Sequence, residues 1–430
     1  MKRTYIKDIV PETEVKLSGW IERIRNPKNM IFIVLRDITG QIQVTIDKAT
    51  NPEMTEQLSN VIANSVITVT GKAVLSEYVK MGGIEFFPNT LVVDSIADAL
   101  PITKEASLDQ RLNHRWIDLR ENSKALIFKV NTTLEKGIRD YMISTGAIEI
   151  HTPKITVQSS EGGSEVFKLD YFGTQAYLTQ SPQLYKQMAM ASGFDKVFEI
   201  GDYFRAESSF TNRHATEFIG FDFEISHIDS HHDVMDYLEG ALRNALQAVK
   251  DKHTDELKEV YNVEIDIPEC DFPRIPFYEA LEIVEKEYGY KGEKVDFDPE
   301  SEKLICQYVK EKYNSDFVYI TEFPFEARAF YSMKCDDNPK LCKAFDLLWK
   351  GIEITSGAQR EHRYDKLKEQ IAEKGIDPAI MNDYLEFFRY GCPTHGGIGL
   401  GIARMLAKLL ELPTIKEATY IFRGPNRITP

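Results

Sequence analysis

The chain has 430 residues, 43% hydrophobic and 28% charged, enough for two or three separately packed cores and inconsistent with a disordered, collagen-like or disulfide-stapled protein. Its 67 acidic side chains outnumber 52 basic ones, and a net charge of −15 speaks against a polyanionic partner unless basic groups are segregated. The five cysteines contain no C-x-x-C pair and no uncharged run of about eighteen residues could span a bilayer, which points to a reducing, cytoplasmic setting and no membrane segment.

Residues 1–100 alternate like strands over Val15–Ile21, Met30–Asp37, Gln41–Asp47, Val66–Lys72 and Gly83–Val93, separated by Gly, Asn, Pro and Asp. Five short strands with one small helical piece predict a closed five-stranded barrel of the OB type. This segment carries 11 basic and 12 acidic residues, and its first 36 residues hold 8 basic against 4 acidic. The excess acid therefore lies downstream of a locally basic N-terminal face. A polar hinge at 101–120 leads into a helix marked by Ile127, Val130, Leu134, Ile138 and Met142, stopped by Gly146. Beyond it, strand-like runs at Ile148–Ile150, Ala176–Leu178, Lys196–Ile200, Phe218–Ile225 and Val318–Ile320 mix with helices at Val234–Val249, Ser301–Lys312 and Ala403–Leu410. The whole reads as an α+β protein, with 121–430 built on a mainly antiparallel sheet.

Several constellations suggest chemistry. In the barrel, Phe32, Gln43 and Glu85 fall on strands and could stack on and read unpaired bases, although a lone strand phenylalanine also suits a core. Ser181 is placed to cap a helix whose first residue is Pro182, setting Gln183 and Lys186 three apart on its first turn, where an anion is favoured. Arg205 and Glu207 follow a strand, and a polar loop separates them from Arg213 and His214; such an arginine can grip a phosphate with two hydrogen bonds. The segment Phe345–Ile354 reads as a hairpin turning at Trp349-Lys350, which sets Asp346 opposite Glu353 and calls for a hard cation such as magnesium between them. Ser356 and Arg360 lie just downstream. Finally, Gly397, Gly399 and Gly401 precede an apolar helix carrying Arg404, a glycine floor suited to a planar base or sugar.

In this order the pieces resemble a class II aminoacyl-tRNA synthetase of the aspartyl, asparaginyl and lysyl subgroup, most closely its archaeal-type aspartyl branch, over essentially the whole chain. Ala147–Pro153 resembles the family's motif 1, at the dimer interface, Phe204–Phe218 its motif 2 and Gly397–Arg404 its motif 3. The resemblance implies a homodimer that activates L-aspartate with ATP and transfers it to tRNA(Asp), and also to tRNA(Asn) if recognition is relaxed. It implies that Arg205 holds the aspartate carboxylate and α-phosphate, and that Glu207, Arg213, His214, Glu353, Gly399, Gly401 and Arg404 contact ATP. Asp346, Glu353 and Ser356 match magnesium positions, and Ser356 is out of alternation with Glu353, so the strand should bend there. Glu161, Gln183, Lys186, Ser356 and Arg360 match aspartate contacts, and Phe32, Gln43 and Glu85 match anticodon readers. Lys186 favours aspartate over asparagine. Ala403 stands where the family's motif 3 has Glu, the one feature suggestive of a silent tRNA-binding paralogue. Glu22 and Met81 replace the Trp and Lys of enzymes strict for tRNA(Asp).

Overall fold

The computed structural model describes residues 1–157 and 165–430, which form two compact units, Met1–Ala125 and Leu126–Pro430. In the first, β1 (Glu14–Arg25), β2 (Met30–Arg36), β3 (Gln41–Asp47), β4 (Val66–Leu75) and β5 (Ile84–Ser95) close a barrel in the order β1-β2-β3-β5-β4, with α1 (Pro52–Gln57) between β3 and β4. Strand alternation decides what lies inside: Ile31, Ile33 and Leu35 of β2 meet Ile42, Val44 and Ile46 of β3 in an apolar core. At about 1.5–3 kcal/mol for each buried aliphatic side chain, such a core is the main term holding a small barrel closed. Close approach makes Gly19 obligatory, because a Cβ there would lie 2.2 Å from the Arg36 carbonyl oxygen. Short helices α2 (Leu108–Asn113) and α3 (Arg115–Asp118) occupy the segment read as a hinge. Ser107 and Gln110 form a capping box at the start of α2.

The second unit begins within the long helix α4 (Asn122–Ser144), which ends where Gly146 takes φ 83°. Next come β6 (Ile148–Glu149), β7 (Ile155–Thr156), β8 (Lys168–Tyr171), β9 (Thr174–Leu178), α5 (Gln183–Ala191), β10 (Lys196–Phe204), β11 (Glu217–Ser226) and α6 (His231–Tyr261). The chain continues through β12 (Arg274–Pro276), α7 (Phe277–Tyr288), α8 (Pro299–Tyr313), β13 (Phe317–Thr321), β14 (Ala344–Trp349) and β15 (Ile352–Gln359). It ends with α9 (Tyr364–Glu373), α10 (Asn382–Arg389), β16 (His395–Gly401), α11 (Ile402–Leu409) and α12 (Ile415–Ala418). Eight strands form one sheet, ordered β12-β13-β14-β15-β16-β11-β10-β6, antiparallel except at its two outermost pairs. One face is packed by α4, α6 and α11 through Phe221, Phe223, Ile398, Leu400, Leu238 and Met405. The other face is left open, and there the polar and glycine positions of the alternation collect. All five cysteines are free thiols, and among the described residues no helix is long and apolar enough to cross a membrane.

Candidate active site

The open face of the large sheet carries a cavity of about 340 Å3, within the range of small-ligand sites. Its floor follows from register. Glu199, Asp222, Gly399, Ser356 and Asp346 are successive partners across β10, β11, β16, β15 and β14. The next row on the same face is Gly201, Gly220 and Gly401. Because alternate residues of a strand face opposite ways, the glycines at 397, 399 and 401 open the floor while Ile398 and Leu400 enter the core. A Cβ on Gly401 would meet nothing nearer than Arg404 Cγ at 3.8 Å, so the space above it is free for a ligand.

At one end of this floor stand Lys186 and Arg360. Helix α5 starts at Gln183, one residue later than expected, because Pro182 is the flanking residue; its carbonyl already accepts from the Tyr185 and Lys186 amides, and Ser181 Oγ accepts from the Gln183 amide at 3.4 Å. Gln183 and Lys186 therefore do occupy the first turn. Lys186 Nζ donates to Asp222 at 2.9 Å and to the Ile398 carbonyl at 2.7 Å, and lies 3.4 Å from Glu224. Arg360 grips Glu224 with two bonds of 2.9 and 3.3 Å. Burial alone would raise the Glu224 carboxyl, but Arg360 and Lys186 together hold it below its usual range. Asp222 is pushed above its usual range by burial, which Lys186 only partly offsets. Gln183 bonds to Gln187, which Tyr384 and His395 also contact, so the side chains around the two cations are locked on several sides.

Arg205 directly follows β10, as expected for a strand-end arginine, with its guanidinium 5.5 Å from the Phe218 ring centre and 3.6 Å from Glu207. Downstream, Arg213 bonds to Glu302 of α8 at 2.9 Å, and His214 bonds to Ser209 at 3.1 Å. Burial and then the neighbouring Arg404 keep the His214 imidazole below its usual pKa, hence neutral near pH 7. Arg404 ties these parts together by donating to the carbonyls of Arg213 and Glu353 at 3.2 and 3.3 Å. Ala403 packs against the apolar core beneath.

The hairpin departs from the expected register. Its turn is Lys350-Gly351, with φ of 48° and 84°, one residue later than Trp349-Lys350. Asp346 consequently pairs with Ser356 and not with Glu353, which pairs with Leu348. The expected bend is present: a bulge leaves Ile354 unpaired between Glu353 and Thr355, and this extra residue returns Glu353 and Ser356 to the cavity side. Burial, and then the charge of Asp346, raise the Glu353 carboxyl above its usual range. Among the described residues no three acidic, histidine or cysteine side chains converge tightly enough to enclose a metal alone. The hard oxygens of Asp346, Glu353 and Ser356 suit magnesium as a partial set to be completed by phosphate oxygens and water. Glu161, expected over the substrate, lies outside the described residues.

In the barrel, Phe32 is half-buried on the outer face while its neighbours Ile31 and Ile33 enter the core, so the core reading of Phe32 does not hold. Phe32 is paired with Thr45, and Gln43 with Glu85, on the same outer surface. Gln43 donates to Glu85 at 3.2 Å, as do Thr45 at 2.5 Å and Ser76 at 3.1 Å. Arg25 lies over the Phe32 ring at 5.5 Å.

Asp222, Glu224, Gln187 and Glu302 are not among the residues expected from the sequence, nor is Arg328, which lines the cavity with its guanidinium on Asp346. A signal existed for the first two: in Phe221-Asp222-Phe223-Glu224 the acids alternate with core phenylalanines, which sends both onto one face of a buried strand. Gln187 shares a face of α5 with Gln183, four residues before it, but meets His395 and Tyr384 only in the folded chain, as Glu302 and Arg328 meet their partners.

Comparison with known proteins agrees with this geometry. The family model for class II tRNA synthetases (D, K and N) matches residues 107–422, and that for the OB-fold nucleic acid binding domain matches residues 15–96. The chain is 42% identical to the aspartate–tRNA(Asp) ligase of Picrophilus torridus and 40% identical to the aspartate–tRNA(Asp/Asn) ligase of Aeropyrum pernix, over the full length of each. The asparaginyl-tRNA synthetase of Pyrococcus horikoshii complexed with asparaginyl-adenylate superposes with a TM-score of 0.92 at 30% identity, both chains being fully covered. With a glycine-floored cleft on an antiparallel sheet and an OB barrel preceding it, the chain belongs to the class II tRNA synthetases of the aspartate, lysine and asparagine group.

Proposed function

We propose that this protein is an aspartate–tRNA ligase, which joins L-aspartate to ATP as aspartyl-adenylate with release of pyrophosphate, then passes the aspartyl group to the terminal ribose of tRNA(Asp). The observation that carries the choice of amino acid is the buried pair Lys186 and Arg360, fixed by Glu224. A side-chain carboxylate entering there meets two cations already aligned, whereas an amide would leave both without the added charge. The relatives at about 40% identity that are named for aspartate support the same reading.

Within that reaction the residues divide the work. Gln183 and Ser356 border the amino acid, and Asp222 supplies the acceptor for its ammonium group. Arg205 draws the α-carboxylate and the α-phosphate together and neutralises charge as the carboxylate oxygen attacks phosphorus and pyrophosphate departs, a mainly electrostatic form of catalysis. Glu207, His214 and the Gly399–Gly401 floor seat the adenosine, while Arg213 and Arg404 face the outer phosphates. Magnesium, held by Asp346, Glu353 and Ser356 with phosphate oxygens, would supply positive charge to the pyrophosphate leaving group. On the barrel, Phe32 stacks on an anticodon base whose edge Gln43 and Glu85 read. The departures at Glu22 and Met81 support charging of tRNA(Asn) as well. Exposed Ile148 within the motif 1 segment, with Ile155 and Val157 just after it, supports a homodimer, and a tRNA partner supports a cytoplasmic location.

Pyrophosphate exchange with aspartate and with asparagine tests the central claim. Exchange with aspartate is expected; none with either amino acid refutes the enzyme, and exchange with asparagine alone refutes the choice of amino acid. Aminoacylation of the two purified tRNAs then reads the tRNA range.

A further inference from the structure

Asp346 is already neutralised in the protein. The Arg328 guanidinium donates Nη1 to one Asp346 oxygen at 2.9 Å and Nη2 to the other at 2.5 Å, and Nη1 also lies 3.3 Å from Ser356 Oγ. Asp296 is 3.6 Å from the same group, and the Phe323 ring centre is 3.6 Å from its central carbon. The side chain is 14% exposed, and its Nε has no acceptor. Two of the three positions assigned to magnesium are thus occupied by a fixed cation. A guanidinium stays charged at any accessible pH, so this cation cannot be switched off by losing a proton. A divalent ion arriving alone meets a positive charge on the same carboxylate, in a cleft where charges are weakly screened. Only phosphate oxygens, by adding negative charge and ligands together, reverse that balance.

We propose that Arg328 is the resident counter-ion of the metal carboxylates and makes divalent-metal binding conditional on the nucleotide. This rests on reading Asp346, Glu353 and Ser356 as the magnesium positions. Arg328 acts through Asp346 and is a positioning residue.

The test is Mn2+ binding to the full-length, nucleotide-free protein, followed by electron paramagnetic resonance, with thermal melting in EDTA and in Mn2+. Arg328→Gln should bind Mn2+ at least tenfold more tightly than the unmodified protein and melt lower in EDTA, with Mn2+ restoring most of the loss. Arg328→Lys keeps the charge without the two-pronged grip, and should fall between the two, at least threefold tighter than the unmodified protein; it carries the test if the glutamine variant does not fold. Adding Asp346→Asn to Arg328→Gln should abolish the gain. Unchanged or weaker Mn2+ binding in the folded Arg328 variants overturns the counter-ion role, as does a gain that survives Asp346→Asn. In the otherwise unmodified protein, Asp346→Asn should weaken Mn2+ binding in the presence of ATP. If it does not, the metal assignment itself fails and the counter-ion role with it; if it does while Arg328 variants show no gain, only the counter-ion role fails.

Discussion

Replacing Lys186 with methionine removes one charge from the amino-acid end of the cleft while keeping most of the side-chain volume. The lysine is 2% exposed and serves Asp222, Glu224 and the Ile398 carbonyl. Its loss leaves two buried carboxylates facing the single cation Arg360, and breaking a buried pair from one side costs about 3–5 kcal/mol of stability. The variant should therefore melt several degrees lower, and its folded fraction must be confirmed at the assay temperature. A hydrogen bond to a charged group contributes about 1.5–3 kcal/mol, which corresponds to a fall of about 10- to 150-fold in kcat/KM for aspartate. The ATP site lies along the floor and should be spared, so KM for ATP should stay within about twofold. Pyrophosphate exchange with each substrate varied in turn, at saturating levels of the other, measures both. Discrimination against asparagine should narrow as aspartate is lost. An aspartate kcat/KM within about threefold of the unmodified protein, or an equal rise in both Michaelis constants, would refute the role argued for Lys186.

Three further outcomes are expected. Phe32→Ala should leave pyrophosphate exchange intact while weakening tRNA affinity about 5- to 150-fold, from about 1–3 kcal/mol of base stacking, and equal losses in both assays would point to a folding defect instead. Gly401→Val should raise KM for ATP at least tenfold with little change in melting temperature, because its Cβ has free space until a ligand arrives; an unchanged KM contradicts the floor. His231 is buried with neither ring nitrogen hydrogen-bonded, and burial depresses its pKa to about 3. A base so depressed contributes stability that is present above the unfolded value near 6.5 and lost as pH falls toward 3. His231→Phe should therefore remain more stable relative to the unmodified protein as pH drops, by up to about 4 kcal/mol near pH 3, and parallel denaturation curves from pH 7 to 4 would exclude this.

The sequence by itself determined what depends on neighbours along the chain. Period-two alternation placed the five barrel strands, helical spacing from Ile127 to Met142 placed α4, and the glycines at 397, 399 and 401 announced a floor facing away from Ile398 and Leu400, whereas α6 runs twelve residues beyond the Val249 expected as its end. Glu353 and Ser356, three apart, already required the bulge that the structure has at Ile354. The net charge of −15 was a poor guide, because charge acts locally and the barrel unit is nearly neutral with a basic leading segment. Tertiary structure alone decided which charges meet. Lys186 and Arg360 are 174 positions apart and are organised by Glu224 from a third element, so their pairing has no sequence period to reveal it. The hairpin turned one residue later than read, since Lys350-Gly351 adopts the positive φ that a tight two-residue turn needs, and that shift moved the partner of Asp346. Arg328 reaches Asp346 across a loop, where no periodicity operates and only folded geometry can set one cation against one carboxylate.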